Sequence, residues 1–367
     1  MIQDDKKRVI TITLTQSCNL SCIYCYETHK TKRAMSFEQA KQIVDFEFSK
    51  TEDDELLEID LFGGEPFLEF PLVTRIVDYV KCMYGTRLFL FFIITNGTLL
   101  DDKIKEWLIR NRDCVICGLS FDGTKAMQDI NRCNSFDMVD LDFFAKTYPG
   151  QTVKMTVSPQ TLGNLAEGVL FLQSKGFEVT CNLAYGIDWS NDAFCQILER
   201  ELSTLIEYYI THPETPICSM LDMGIEQLAY TTAAEKGRYC GAGIDMAAYD
   251  IDGTSYPCQM FMPLSAGLEK AQKAKDIEFF EMIPSEYLDP KCKTCVINAI
   301  CPTCYGSNYI STGNIYLHEA SYCSLMKVIM KARSYLKGQL WKAGRLDLTL
   351  GEEANLLKSI LILQEKL

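Results

Sequence analysis

Cys18-Asn19-Leu20-Ser21-Cys22-Ile23-Tyr24-Cys25 is the stretch on which the reading of this chain turns. It sets three thiols in a C-x3-C-x2-C pattern directly after a short apolar segment, residues 9–14, that reads as a first strand. Three thiolates on one loop can ligate three irons of a four-iron cluster and leave the fourth iron open to a small molecule. A structural zinc site would want a fourth ligand nearby, and His29 is the one candidate.

The rest of the composition frames that loop. The chain has 17 Cys in 367 residues, an odd number in a chain much longer than secreted disulfide scaffolds. The N-terminus has no apolar signal core, and the longest apolar run, residues 88–94, is too short for a membrane span. A cytoplasmic protein is expected, its thiols holding metal or packed in a core. A formal net charge of −13 argues against nucleic acid, whose phosphates need a clustered positive surface.

Outward from the loop, short apolar runs alternate with amphipathic ones. Strands are expected at residues 9–14, 57–62, 88–94, 115–121, 152–157 and 178–183. Helical patterns follow at 36–49, 69–83, 101–110, 136–147, 164–175 and 191–210, with Ser36 and Asp101 as helix starts. Six strand–helix units imply an α/β fold, a partial (β/α)6 TIM-like barrel with a parallel sheet. From residue 216 elements shorten and Cys becomes dense, so metal would supply stability that a small core lacks. The expected domains are 1–215, the barrel; 216–335, a small Cys-rich domain; and 336–367, a helical tail. Helices are expected at 325–336 and 352–364.

The triplet, with an aromatic before its third Cys, resembles the signature of the radical S-adenosylmethionine (SAM) superfamily. Further matches follow in order. Gly63-Gly64-Glu65-Pro66 ends the second strand, where the family binds the SAM amino group through backbone and a carboxylate. Thr95-Asn96-Gly97 ends the third, and Ser120-Phe121-Asp122-Gly123 closes the fourth, with Ser120 resembling the ribose contact. Arg132 sits where related enzymes pair an Arg with the SAM carboxylate. The resemblance thus implies Tyr24, Gly63, Gly64, Glu65, Pro66, Asn96, Ser120 and Arg132 as SAM contacts. Cys18, Cys22 and Cys25 would ligate the SAM cluster.

A second set, Cys240, Cys258, Cys292, Cys295, Cys301, Cys304 and Cys323, resembles the seven-Cys SPASM extension of peptide- and protein-modifying radical SAM enzymes. Gly253 stands ahead of Cys258, while Cys301-Pro302-Thr303-Cys304 is a residue shorter than the commonest form. The five residues between Cys295 and Cys301 are too few for a zinc ribbon. By resemblance, Cys292, Cys295, Cys301 and Cys323 close one auxiliary cluster, and Cys240, Cys258 and Cys304 hold the other. That second cluster keeps an open iron unless another residue, such as Cys218, fills it. Three [4Fe-4S] clusters follow in all. The remaining Cys82, Cys114, Cys117, Cys133, Cys181, Cys195 and Cys218 default to packing.

The chemistry implied is reductive cleavage of SAM to a 5′-deoxyadenosyl radical that abstracts hydrogen, fed by a flavodoxin- or ferredoxin-type reductant. The first expectation for substrate is a ribosomally made precursor peptide receiving a thioether or C–C crosslink. Alternatives are a sulfatase-type formylglycine maturase, a peptide epimerase and, from another class, a non-catalytic iron–sulfur carrier. Sulfatase maturases place an Asp base after the second SPASM Cys; here Gln259 follows Cys258. A carrier would have no use for Glu65, Ser120 and Arg132. Only about ten residues precede the first strand, so leader recognition is expected from a separate leader-binding protein or the barrel mouth.

Overall fold

The computed structural model describes residues 7–231 and 236–367. Strands β1 (Lys7–Thr15), β2 (Leu56–Gly63), β3 (Phe89–Thr95) and β4 (Val115–Leu119) run parallel in chain order. They alternate with helices α1 (Phe37–Lys50), α2 (Phe70–Tyr84) and α3 (Asp102–Arg110). Strand β2 buries every second residue, Leu57, Ile59 and Leu61 among them, as a sheet strand with one face on a core must. Strand β1 is buried without a break from Ile10 to Thr15, the pattern of a central strand covered on both faces.

The helix starts follow local chemistry. Ser36 and Gln39 form a reciprocal capping box at α1, and the Asp101 carboxylate accepts from Ile104 N–H at 2.9 Å at α3. The expected helix at 136–147 is instead a short turn, Phe136–Met138, and a helix Leu141–Thr147 begun by Asp140, whose carboxylate accepts from Phe143 N–H. A helix at Lys125–Asn131 was not expected.

The sheet differs from expectation at its other side. A short strand, Met246–Tyr249, from the Cys-rich segment pairs in parallel with β1, and Ser255–Tyr256 pairs antiparallel beyond it. Strands Thr152–Val157 and Glu178–Leu183 form a separate two-stranded ladder. At four residues, Met246–Tyr249 is too brief to carry a legible period. Two compact units result: Met1–Phe121 with Asn131–Val153 and Gly241–Phe279, and Asp122–Ile130 with Lys154–Cys240 and Phe280–Leu367. The second unit holds long helices Ala193–Thr211, Ala320–Lys342 and Leu350–Lys366. The last two extend the expected 325–336 and 352–364 at both ends. No helix is long and apolar enough to cross a membrane, among the described residues.

Candidate active site and cysteine sets

In the first unit, the carboxyl ends of β1 to β4 converge on the Cys18–Cys25 loop. Gly64 N–H donates to Thr15 O at 3.0 Å and Glu65 N–H to Ser17 O at 2.9 Å, sewing the end of β2 to the chain entering Cys18. A Cβ on Gly64 would stand 2.2 Å from Ser17 O, so only glycine permits this approach. The closeness that the two glycines allow is therefore to the loop's own backbone. Asn96 Nδ2 donates to Asn19 Oδ1 at 2.9 Å, and Asn19 Nδ2 to Thr98 Oγ1 at 2.7 Å, tying the turn after β3 to the same loop. From the far side, Ile23 N–H donates to Asn131 O at 3.0 Å and Ser21 N–H to Cys133 Sγ at 3.3 Å. The Arg132 guanidinium stands 5.5 Å from the centre of the Tyr24 ring. Ser120 is half-buried, its N–H donating to Thr95 O at 2.9 Å. Pro66 is buried at the first turn after Glu65.

Glu65 is buried, and its carboxylate accepts from Phe67 N–H at 3.2 Å, Thr95 Oγ1 at 2.8 Å and Asn96 N–H at 2.9 Å. Burial pushes its pKa up to about 7 against the pull of those three donors and the Arg132 charge. Two further charged groups stand at the loop without a motif to announce them. Lys30 Nζ donates to Cys25 Sγ at 3.1 Å. Glu27, buried beside Lys30, is pushed up to about 7 by desolvation, and its Oε1 has no hydrogen-bond partner among the described residues. His29 hydrogen-bonds Thr28, and its Nε2 lies 3.1 Å from where a Cβ on Gly267 would sit.

The second unit brings Cys292, Cys295, Cys301 and Cys323 together. Cys292 and Cys295 share a tight turn, Cys295 N–H donating to Cys292 O at 3.0 Å, and Cys323 rides in the first turn of Ala320–Lys342. Burial and the neighbouring thiols push Cys292 up to about 11 and Cys301 up to about 12. Cys240 and Cys304 lie within electrostatic reach of each other, and Cys304 Sγ accepts from Ser307 N–H at 3.4 Å. Cys258 belongs to the first unit and is buried. Beside Cys301, Cys304 and Cys323 lies a small pocket walled by Tyr185, Trp189, Tyr322 and Met326. Tyr185 and Tyr322 stack there, 5.7 Å between ring centres. Among the described residues, no three His, Cys, Asp or Glu side chains are grouped to share one metal ion.

Cys218 is fully buried against Tyr209, whose hydroxyl accepts from the Cys218 N–H at 3.2 Å, and Cys181 also bears on it; it is a core thiol, as the packing default expects. Of the cysteines assigned to packing, Cys82 and Cys133 are exposed, while Cys114, Cys117 and Cys181 are buried.

A family model described as a 4Fe-4S single cluster domain matches residues 7–134. The computed structure superposes on that of anSMEcpe with bound AdoMet and Cp18Cys peptide with a TM-score of 0.69, covering 93% of this chain and 100% of that one at 17% identity. Over its N-terminal third the chain is similar to radical SAM enzymes. The chain is 32% identical over 118 residues to the antilisterial bacteriocin subtilosin biosynthesis protein AlbA of Bacillus subtilis, spanning 32% of its own length and 24% of AlbA. It is 25% identical over 359 residues to the AdoMet-dependent heme synthase of Methanosarcina barkeri, spanning 86% of this chain and 96% of that one.

The donor set of the Cys18–Cys25 loop fits a four-iron cluster with one iron left over. Three thiols sit on one loop, with Leu20 N–H donating to Cys18 Sγ at 3.5 Å and the Lys30 ammonium to Cys25 Sγ. Lys30 and Glu27 escaped the sequence because no spacing rule joins them to the triplet; the hydrogen bond to Cys25 reveals the one and burial the other.

Proposed function

We propose that this radical SAM enzyme abstracts a hydrogen atom from a ribosomally made peptide, which it converts to an intramolecular thioether or C–C crosslink. The observation that carries the reading is the pairing, in one chain, of the Cys18–Cys25 loop with the seven-Cys set, on a fold similar to that of a structure with AdoMet and a peptide bound. The likeness to a bacteriocin biosynthesis protein supports it as well. With a cluster and SAM bound, the site would supply reductive cleavage of SAM and the 5′-deoxyadenosyl radical.

The chain's own residues position and shield. Cys18, Cys22 and Cys25 would hold the cluster. Glu65, with both carboxylate oxygens committed to Phe67, Thr95 and Asn96, orients the backbone around the SAM amino group. Arg132, stacked near Tyr24, would pair with the SAM carboxylate, and Ser120 would meet the ribose. Cys292, Cys295, Cys301 and Cys323 would hold one auxiliary cluster. Cys240 and Cys304, with Cys258, would hold the second, three clusters in all. The sulfatase-type alternative lacks its base: the Gln259 amide cannot take up a proton, and its Oε1 is buried with no hydrogen-bond partner among the described residues. The partners proposed are the precursor peptide, a flavodoxin- or ferredoxin-type reductant and a separate leader-binding protein, all in a reducing cytoplasm.

The near full-length likeness to a heme synthase favours a second reading, a porphyrin substrate. One experiment separates the two. Anaerobic enzyme, SAM and reductant are incubated in heavy water with the peptide encoded beside the gene, or with a porphyrin precursor of heme, and products are read by mass spectrometry. Loss of two hydrogens from the peptide supports crosslinking, and one deuterium gained at unchanged hydrogen count means epimerisation. An untouched peptide with an oxidised porphyrin sinks the first reading.

A further inference from the structure

A cation is buried among four of the cysteines of the second unit. Lys236 is 3% exposed, and its Nζ donates to the carbonyl oxygen of Cys301 at 3.4 Å. Its backbone is pinned: Ile283 N–H donates to Lys236 O at 2.9 Å, and Gly237 bridges Met282 antiparallel. Burial pulls its pKa below the ordinary lysine value, and the thiols within electrostatic reach that oppose this are those of Cys301, Cys292, Cys295 and Cys323, the full set proposed for one auxiliary cluster. A buried ammonium is costly unless anions compensate it. Four neutral thiols offer little compensation. Four thiolates around a four-iron core of charge two-plus leave a net double negative charge, and one added electron makes it triple.

We infer that Lys236 is the counter-charge of an iron–sulfur cluster held by Cys292, Cys295, Cys301 and Cys323, and that it raises the reduction potential of that cluster. This rests on the cluster assignment proposed above. A fixed positive charge in a site of low dielectric favours the more negative, reduced state of its neighbour. Lys236 is thus a positioning and tuning residue rather than a catalytic one. Its effect is to make the auxiliary cluster a readier acceptor for the electron left on a product radical.

The test uses protein carrying Cys18→Ala, Cys22→Ala and Cys25→Ala, reconstituted anaerobically with iron and sulfide. It is titrated with dithionite through mediators, and the reduced clusters are followed by electron paramagnetic resonance. With Lys236→Met, one auxiliary couple is expected to fall so that its reduced-to-oxidised ratio at fixed potential drops about tenfold, which is 59 mV for one electron. The other couple stays in place, and Lys236→Arg, which keeps the charge, stays near the parent. Loss of iron in Lys236→Met but not in Lys236→Arg supports the same role, because charge and not shape is then what the site needs. Unmoved potentials in Lys236→Met overturn the inference, as does a Lys236→Arg protein that fails alongside it. A parent variant that holds no iron overturns the cluster assignment itself, and the inference with it.

Discussion

Glu65 holds its surroundings by accepting rather than by reaching outward. Three donors from the turns after β2 and β3 converge on its two oxygens, so the carboxylate sets the path of both turns. In Glu65→Gln an amide NH2 replaces one acceptor and faces a backbone N–H. SAM affinity, read by calorimetry on the reconstituted protein, is expected to weaken about tenfold, or about 1.4 kcal/mol. An unchanged Kd would mean that the turns hold without it. Gly64→Ala tests the same junction by overpacking: its Cβ would meet Ser17 O and Cys18 N inside contact distance. A cost of about 1–3 kcal/mol is expected, with iron lost from the Cys18–Cys25 loop ahead of the other cysteines. Both motifs were visible along the chain. What they touch was not, since the sequence left open whether the glycines faced SAM or the protein.

At the scale of elements, β1 is the hinge of the first unit's sheet, with β2 on one side and Met246–Tyr249 on the other. The junction is fastened by Glu47 of α1, which takes hydrogen bonds from Arg8 of β1 and from the Tyr249 hydroxyl. Burial alone would raise the Glu47 pKa, but the Arg8 and Tyr249 hydrogen bonds win and hold it below its ordinary value. A lowered native pKa means that the unfolded chain binds the proton first as pH falls. The stabilisation is therefore present above the ordinary carboxylate value and is lost as pH drops through the native one. Glu47→Gln is expected to cost about 3 kcal/mol near neutral pH, with the gap to the parent closing in acid; thermal melts from pH 7 down to pH 3 check it. A gap that widens in acid would contradict the assignment. Helices with strong periods and capping residues, α1 and α3, were legible in the sequence. Met246–Tyr249 was not, because a four-residue strand is chosen by the free edge of β1 rather than by its own pattern.

For the molecule as a whole, the cluster count is the quantity that the proposed ligand sets predict. Fully reconstituted chain is expected to hold about twelve irons. Replacing Cys18, Cys22 and Cys25 by Ala, or Cys292 and Cys295 by Ser, should each remove about four. Elemental analysis with acid-labile sulfide reads this directly, and a plateau at four would leave the extension without clusters. Metal also enters the stability ledger here, since the second unit's cysteine segment from Phe280 to Tyr316 has few regular elements.

The sequence by itself determined the resemblance to radical SAM enzymes, the parallel strand–helix order of the first half and the residues of the Cys18–Cys25 loop. It could do so because three thiols four and three residues apart, and helix periods closed by caps, are properties of neighbours along the chain. The tertiary structure alone decided which side of β1 a late strand would cover, where the Glu65 carboxylate turns, and that Cys218 is a core thiol. It also decided that Lys236 lies buried among four thiols. Each of these depends on contacts between residues far apart in sequence, where burial and partner choice, rather than local propensity, set the free energy.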